Sequence, residues 1–171
     1  SSFARMPAPV MKEEDLVAIC YETLVLFETA HKSIEFRMHS GQESLNFLCD
    51  RNQLMQAITN LLQNSVDSIR ECKRSEEDHQ IRVLLETKEA VGIKLTVLDS
   101  GNGLPDHRGN LTDPYVTTRE KGTGLGLAIV KKIMEDHGGE VILSDKIKNG
   151  ASVSLFFPEV VAKESLETSS I

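Results

Sequence analysis

Asn60 and Asn64 stand four residues apart in Asn60-Leu61-Leu62-Gln63-Asn64. On a helix that spacing puts both amides on one face, about 5–6 Å apart. An asparagine carbonyl is a hard oxygen donor of the kind Mg2+ accepts, an ion that keeps several waters and takes further ligands from phosphate oxygens. Asparagine is also a poor helix former and costly to bury unpaired. Taken alone, the pair therefore reads more plainly as two polar residues at a helix edge. Two glycine-rich stretches follow it, Asp99-Ser100-Gly101-Asn102-Gly103 and Gly122-Thr123-Gly124-Leu125-Gly126-Leu127. Asp99 ends an apolar run, where a carboxylate pointing into a pocket can accept a hydrogen bond from an exocyclic amine such as that of adenine. Gly101 and Gly103 carry no Cβ and let the backbone approach a flat ring. A plain strand-ending turn is the competing reading of this stretch.

The third stretch stands immediately before an apolar helical pattern, where free amide hydrogens and the helix dipole attract phosphate. It is not the dinucleotide fingerprint, because its third glycine comes one residue early. Nor is it a P-loop, since no Gly-Lys-Ser/Thr follows. Three alternating glycines weaken a helix start, so a structural explanation is poor and phosphate binding by Gly122, Thr123, Gly124, Leu125 and Gly126 is the better reading. Thr118, Arg119 and Lys121 lie just ahead of it, and a cation there could meet terminal phosphates; a solvated polar loop is the plainer account of any one of them. In this order the three stretches suit one ligand, a nucleoside triphosphate with its Mg2+.

The elements that must position these residues follow from periodicity. Leu16, Ile19, Cys20, Leu24 and Phe27 mark an amphipathic helix from about Glu13 to Ala30. Ile34–Met38 and Leu45–Leu48 alternate around Ser40-Gly41-Gln42, which predicts two strands joined as a hairpin. Asp50 caps a long helix to about Lys73, with Leu54, Ile58, Leu61, Leu62, Val66 and Ile69 as its buried stripe. Strands over 81–85 and 93–98 come next, turned at Val91-Gly92. A stretch from Ser100 to Lys121 has neither period, and loops of that length tend to be functional lids. A helix then runs to Gly138-Gly139. A last hairpin, Val141–Leu143 with Ala151–Phe157, turns at Lys148-Asn149-Gly150. Helices on one face of a mainly antiparallel sheet make this an α+β fold, a two-layer α/β sandwich.

At 171 residues the chain suits one domain. Apolar residues at 40 % predict a globular fold, and a formal net charge of −7 argues against a nucleic-acid binder, whose affinity would rest on clustered Lys and Arg. Cys20, Cys49 and Cys72 have no CxxC spacing and read as reduced thiols of a cytosolic setting. No apolar run approaches the roughly 20 residues of a membrane span. Residues 1–9, with Pro7 and Pro9 and no initiating Met, read as a linker from a preceding domain; 10–158 reads as the functional domain and 159–171 as a polar, disordered tail.

With the three boxes in order, the chain resembles the catalytic and ATP-binding domain of sensor histidine kinases, within the gyrase, Hsp90, histidine kinase and MutL superfamily. Asp50–Ile69 resembles its N box, Asp99–Gly103 its G1 box and Gly122–Leu127 its G2 box, while Pro114-Tyr115-Val116-Thr117-Thr118 resembles the start of its lid. Together with the opening Ser2-Phe3-Ala4-Arg5-Met6-Pro7, that segment looks most like NtrY-type nitrogen-regulation sensor kinases. The resemblance covers roughly residues 10 to 158. It implies the Bergerat fold, a mixed, mainly antiparallel sheet covered on one face by three helices, with a mobile ATP lid from about Leu104 to Lys121. It implies ATP and Mg2+ as ligands, with Asn64 on the metal, Asp99 on the adenine amine, Gly101 and Gly103 beside the ring, and Gly122, Gly124 and Gly126 around the phosphates.

Asn60 takes the catalytic position, where ATPases of the superfamily carry a Glu as general base. An Asn cannot accept that proton, so slow hydrolysis and transfer to another nucleophile are expected. None of His31, His39, His79, His107 and His137 stands in the His-Glu/Asp-x-x-Asn/Thr-Pro context of a phosphoacceptor, and each reads as an ordinary surface histidine. The implied acceptor is a histidine on a separate dimerisation domain of the parent protein, with a response regulator served through it and no nucleic-acid partner. The chain by itself is expected to be monomeric, unable to phosphorylate itself, and cytoplasmic, from a parent that can be anchored in the inner membrane. An ATPase-type conformational switch, an anti-sigma-factor-like serine kinase and a degenerate scaffold are the competing readings.

Overall fold

The computed structural model describes residues 6–75, 78–104, 126–144 and 150–159. Its elements are β1 (Lys12–Asp15), α1 (Leu16–Ala30), β2 (Glu35–Ser40), β3 (Asn46–Cys49), α2 (Arg51–Arg70), β4 (Gln80–Lys88), β5 (Gly92–Asp99), α3 (Gly126–Asp136), β6 (Glu140–Ser144) and β7 (Ala151–Pro158). Five strands form one sheet in the order β2-β4-β5-β7-β6, and β1 and β3 form a separate two-stranded ribbon. The expected architecture is present: helices against one face of a mixed, mostly antiparallel sheet.

One pairing differs from expectation. β2 and β3 are not a hairpin: β2 runs parallel to β4, and β3 pairs antiparallel with β1. Alternation defines which face of a strand is buried but not which neighbour it takes. A parallel partner needs a long crossover, and here the chain between β2 and β4 contains α2, which must leave the sheet to cover it. The ribbon takes the place of the hairpin. Lys12–Asp15 is strand, although Glu13–Asp15 is expected as the start of a helix, and α1 starts at Leu16. Asp15 decides that boundary, because one carboxylate oxygen accepts from Val17 N at 3.0 Å, capping α1, and from Leu45 N at 2.8 Å, fixing the approach to β3.

Period-2 geometry places the site as well as the core. Ile93, Leu95 and Val97 of β5 share a single hydrophobic cluster with Ile81, Val83 and Leu85 of β4, Leu155 and Phe157 of β7, and the apolar stripes of all three helices. Asp99 ends β5 in the same alternating phase, in register with Ile81 and Ala151. Its carboxylate therefore leaves the strand on the face that the helices cover. α2 carries Leu54, Ile58, Leu61, Leu62, Val66 and Ile69 into that core, each at most 2 % exposed. Truncating one such leucine costs about 2–5 kcal/mol, so this register of α2 against β5 is firmly held.

Residues 6–10 run along the start of α2. Met6 packs on the core, Gln53 Nε2 donates to Pro7 O at 2.9 Å, and Val10 N donates to Asp50 Oδ2 at 2.8 Å. Asp50 caps α2 as expected, its other oxygen accepting from Gln53 N at 3.0 Å. Burial raises the Asp50 pKa, but hydrogen bonds from the amides of Val10, Gln53 and Asn52 outweigh it and hold the carboxyl below its ordinary value.

His137 departs from the surface role expected of it. It is 3 % exposed and ties the end of α3 to the start of α2. Nδ1 lies 2.7 Å from Ile133 O, and Nε2 lies 3.0 Å from Asp50 N. A carbonyl can only accept and an amide can only donate, so the ring carries its proton on Nδ1 and leaves Nε2 bare.

Candidate functional site

The described site is built where three elements end together: the middle of α2, the loop leaving β5, and the head of α3. Asn60 and Asn64 are half-buried and face Gly126. Asn60 Nδ2 reaches Gly126 O at 3.5 Å, and a Cβ placed on Gly126 would sit 3.6 Å from Asn64 Oδ1. The two amides therefore flank the first described turn of α3. That brings the first and third sequence boxes together.

The second box is held against the same helix one and two turns further on. Asp99 is 9 % exposed, and its Oδ1 accepts from Gly101 N at 2.9 Å, which fixes the carboxylate relative to the loop. Gly101 lies directly on α2: a Cβ there would come 2.2 Å from Ser68 Oγ, 2.7 Å from Ser68 Cβ and 2.8 Å from the Ser68 carbonyl carbon. Ser68 Oγ then accepts from Asn102 N at 3.0 Å. Gly103 has φ +85°, a left-handed conformation that glycine adopts without strain, and its hydrogen faces Gly150 O, 3.0 Å from where a Cβ would be. Ser100 closes the other side, donating from N to Gln80 O at 3.1 Å and accepting from Gln80 N at its Oγ at 2.9 Å.

Two residues absent from the sequence expectations shape this loop. Ser68 continues the four-residue steps from Asn60 and Asn64 along α2, so helical spacing could have found it. Arg74 follows α2 and donates through Nη2 to the carbonyls of Ser100 and Gly101, while Nε donates to Cys72 Sγ at 3.2 Å. Arg74, through that side-chain bond and its backbone amide, lowers the Cys72 pKa, against smaller opposing effects of burial and the Asp99 charge. No local sequence signal marks Arg74. Among the described residues, no group of three or more His, Cys, Asp or Glu could hold a metal. Thr118, Arg119, Lys121, Gly122, Thr123, Gly124 and Leu125, with the lid segment and its Tyr115, lie outside the described residues.

A sequence family described as histidine kinase-, DNA gyrase B- and HSP90-like ATPase matches residues 49–161, from the cap of α2 to beyond β7. The chain belongs to this ATPase family. Within it the likeness is to histidine kinases. The nitrogen regulation protein NtrY of Azorhizobium caulinodans is 42 % identical over 148 residues, 85 % of this chain and 19 % of that protein. An NtrY-like sensor histidine kinase of Rickettsia felis is 35 % identical over 156 residues, 91 % of this chain and 25 % of its own length. The chain thus spans about a fifth to a quarter of the curated relatives it matches. Among solved structures, the nucleotide-free catalytic domain of histidine kinase ThkA superposes with a TM-score of 0.75 at 30 % identity, covering 87 % of this chain and 97 % of that one. A structure of ThkA with the response regulator TrrA matches at TM-score 0.71 and 26 % identity, over 86 % of this chain and 41 % of the other. The chain is an ATPase-type catalytic domain of the histidine kinase branch. No helix among the described residues is long and apolar enough to cross a membrane.

Proposed function

We propose that this domain binds Mg-ATP and delivers its γ-phosphate to a histidine on a separate dimerisation domain, which then serves a response regulator. One observation carries the reading: the side chain that faces the head of α3 at the position of a hydrolytic base is an amide, Asn60. An amide offers a hydrogen bond but accepts no proton from water. The γ-phosphate is therefore kept from hydrolysis until an external nucleophile attacks. In that step the imidazole nitrogen bonds to the γ-phosphorus, the bond to the β–γ bridging oxygen breaks, and ADP leaves. Little covalent work falls to the protein, whose task is positioning.

Asn64 suits the metal. Its carbonyl is a hard, uncharged oxygen beside a glycine-headed helix, and the absence of a side chain on Gly126 leaves room at its amide. Mg2+ held there neutralises charge on the phosphates when bound. Asp99 is the acceptor for the adenine amine, with its geometry fixed by the Gly101 amide. Gly101 and Gly103 admit the ring, and Gly122 to Gly126, with Thr118, Arg119 and Lys121 ahead of them, take the phosphates. ATP is a cytoplasmic metabolite, so the domain faces the cytoplasm.

Titration calorimetry with ATP, with and without Mg2+, followed by phosphate release on the same sample, tests this. Mg2+-dependent binding with little release, lost in Asp99→Asn, is the expected result. Steady turnover would sink the argument from Asn60 and favour an ATPase switch.

A further inference from the structure

Arg74 has no place in any of the three boxes, yet its side chain, with that of Ser68, joins the tail of α2 to the loop after Asp99. Its Nη2 carries two hydrogens and meets two carbonyls, those of Ser100 and Gly101; its Nε carries one and meets Cys72 Sγ. Three donors of a planar group are thus used on three acceptors, an arrangement a guanidinium makes and a point-charge ammonium cannot fully reproduce. Cys72 is itself anchored, since its amide donates to Ile69 O at 3.0 Å in the last turn of α2. On the other side, the Gly101 carbonyl belongs to the residue pressed flat on Ser68, next to the amide that fixes Asp99.

We infer that Arg74 is a positioning residue for nucleotide binding: a clamp, seated on Cys72, that holds the Asp99–Gly103 loop against α2 at the spacing a purine needs. This rests on the reading that the loop receives adenine. The clamp acts at the base and not at the phosphates, so its loss weakens every adenine nucleotide alike. A charged donor bridging two carbonyls is among the stronger hydrogen-bonding arrangements. Removing it should weaken binding by about tenfold or more, the fold-change expected when a charge-assisted bond is lost.

The experiment compares the unmodified chain with Arg74→Ala, Arg74→Lys and Arg70→Ala, measuring affinity for ATP and for ADP by calorimetry and thermal melting without nucleotide. Expected are a parallel loss for ATP and ADP in Arg74→Ala, partial recovery in Arg74→Lys, and no change in Arg70→Ala, whose side chain meets His31. Cys72 gives a second route that needs no substitution of Arg74. It lines an open hollow with His31, Arg70, Arg74 and His79. Methyl methanethiosulfonate reaches it there: the thiolate attacks the sulfenyl sulfur, an S–S bond forms and methanesulfinate leaves. The methylthio group displaces Nε, so affinity should fall as in Arg74→Ala and return with dithiothreitol. Cys72→Ser, whose hydroxyl still accepts from Nε, should bind normally and ignore the reagent. Unchanged affinity for both nucleotides in a folded Arg74→Ala chain, or in the methylthiolated chain, would overturn the clamp while leaving the proposed function intact. Failure of the unmodified chain to bind either nucleotide would overturn both.

Discussion

Replacing Gly101 with alanine probes the geometry of the site with a single carbon. The added Cβ would lie 2.2 Å from Ser68 Oγ, 2.7 Å from Ser68 Cβ and 2.8 Å from the Ser68 carbonyl carbon. The hydroxyl can swing away, but the other two atoms belong to a helix whose neighbouring side chains are core. Carbon–carbon contact is comfortable from about 3.5 Å, so the backbone carbon alone demands a retreat of roughly 0.7 Å. The loop, not the helix, must give. Such a retreat stretches the 3.0 Å bond from Asn102 N to Ser68 Oγ beyond a useful length and moves Asp99 relative to α2. Overpacking of this kind costs about 1–3 kcal/mol, which read as affinity is roughly 5- to 150-fold. Calorimetric titration with ATP and a melting curve without it divide the cost between binding and stability. Ser68→Ala in the same chain should recover little, because it removes only the hydroxyl; Ser68→Gly should recover more. Gly101→Ala binding ATP within twofold of the unmodified chain, at an unchanged melting temperature, would refute the placement of this loop on α2.

Three further outcomes follow from charges and thiols away from the loop. Asp50 has a folded-state pKa below its unfolded value, so its carboxylate contributes stability at neutral pH that is lost as the pH falls through that depressed pKa. Asp50→Ala should therefore lower stability at pH 7 by about 1 kcal/mol, as loss of an N-cap does, and flatten the melting temperature across the acid range; an unchanged pH profile would contradict the assignment. His137→Leu leaves the Asp50 amide without its acceptor and should destabilise by about 1–3 kcal/mol, seen as a lower melting point and faster amide exchange at Asp50. Burial pushes the thiols of Cys20 and Cys49 up to about 12, whereas Arg74 lowers that of Cys72. Ellman's reagent at pH 8 should accordingly titrate one thiol in the folded chain, none after Cys72→Ser, and all three in guanidinium; a second fast thiol in the folded chain would show the packing of α1 or β3 to be looser than described.

Much of this is legible in the sequence because the periods of helix and strand carry it. α2 announces itself through Leu54, Ile58, Leu61 and Leu62, and once that helix is set, Asn60 and Asn64 must share a face. β1 was hidden for the opposite reason. Lys12, Glu13, Glu14 and Asp15 offer no apolar alternation, and the strand exists because its backbone pairs with Asn46–Cys49, a partner no local pattern names. β2 likewise shows which side it buries but not that its neighbour is β4. His137 sits before a helix-ending glycine pair, a place that reads as surface until the start of α2 is known to pack against it.

The residues that escaped the sequence reading share one property: they connect the ends of elements. His137 joins the C-terminus of α3 to the N-cap of α2, and Arg74 joins the tail of α2 to the loop leaving β5. α2 is therefore tied at its start to the helix that opens at Gly126 and at its end to the loop that follows Asp99. Its middle supplies Asn60 and Asn64. Sliding α2 along its axis by even a fraction of a turn would strain both ties and move the two amides relative to both boxes. The spacing between the Asn64 amide and the Asp99 carboxylate, the groups proposed for the metal and the adenine, is thus set by one helix held at two points. That is why substitutions at either tie, neither of which would touch a nucleotide, are expected to register in nucleotide affinity as well as in stability.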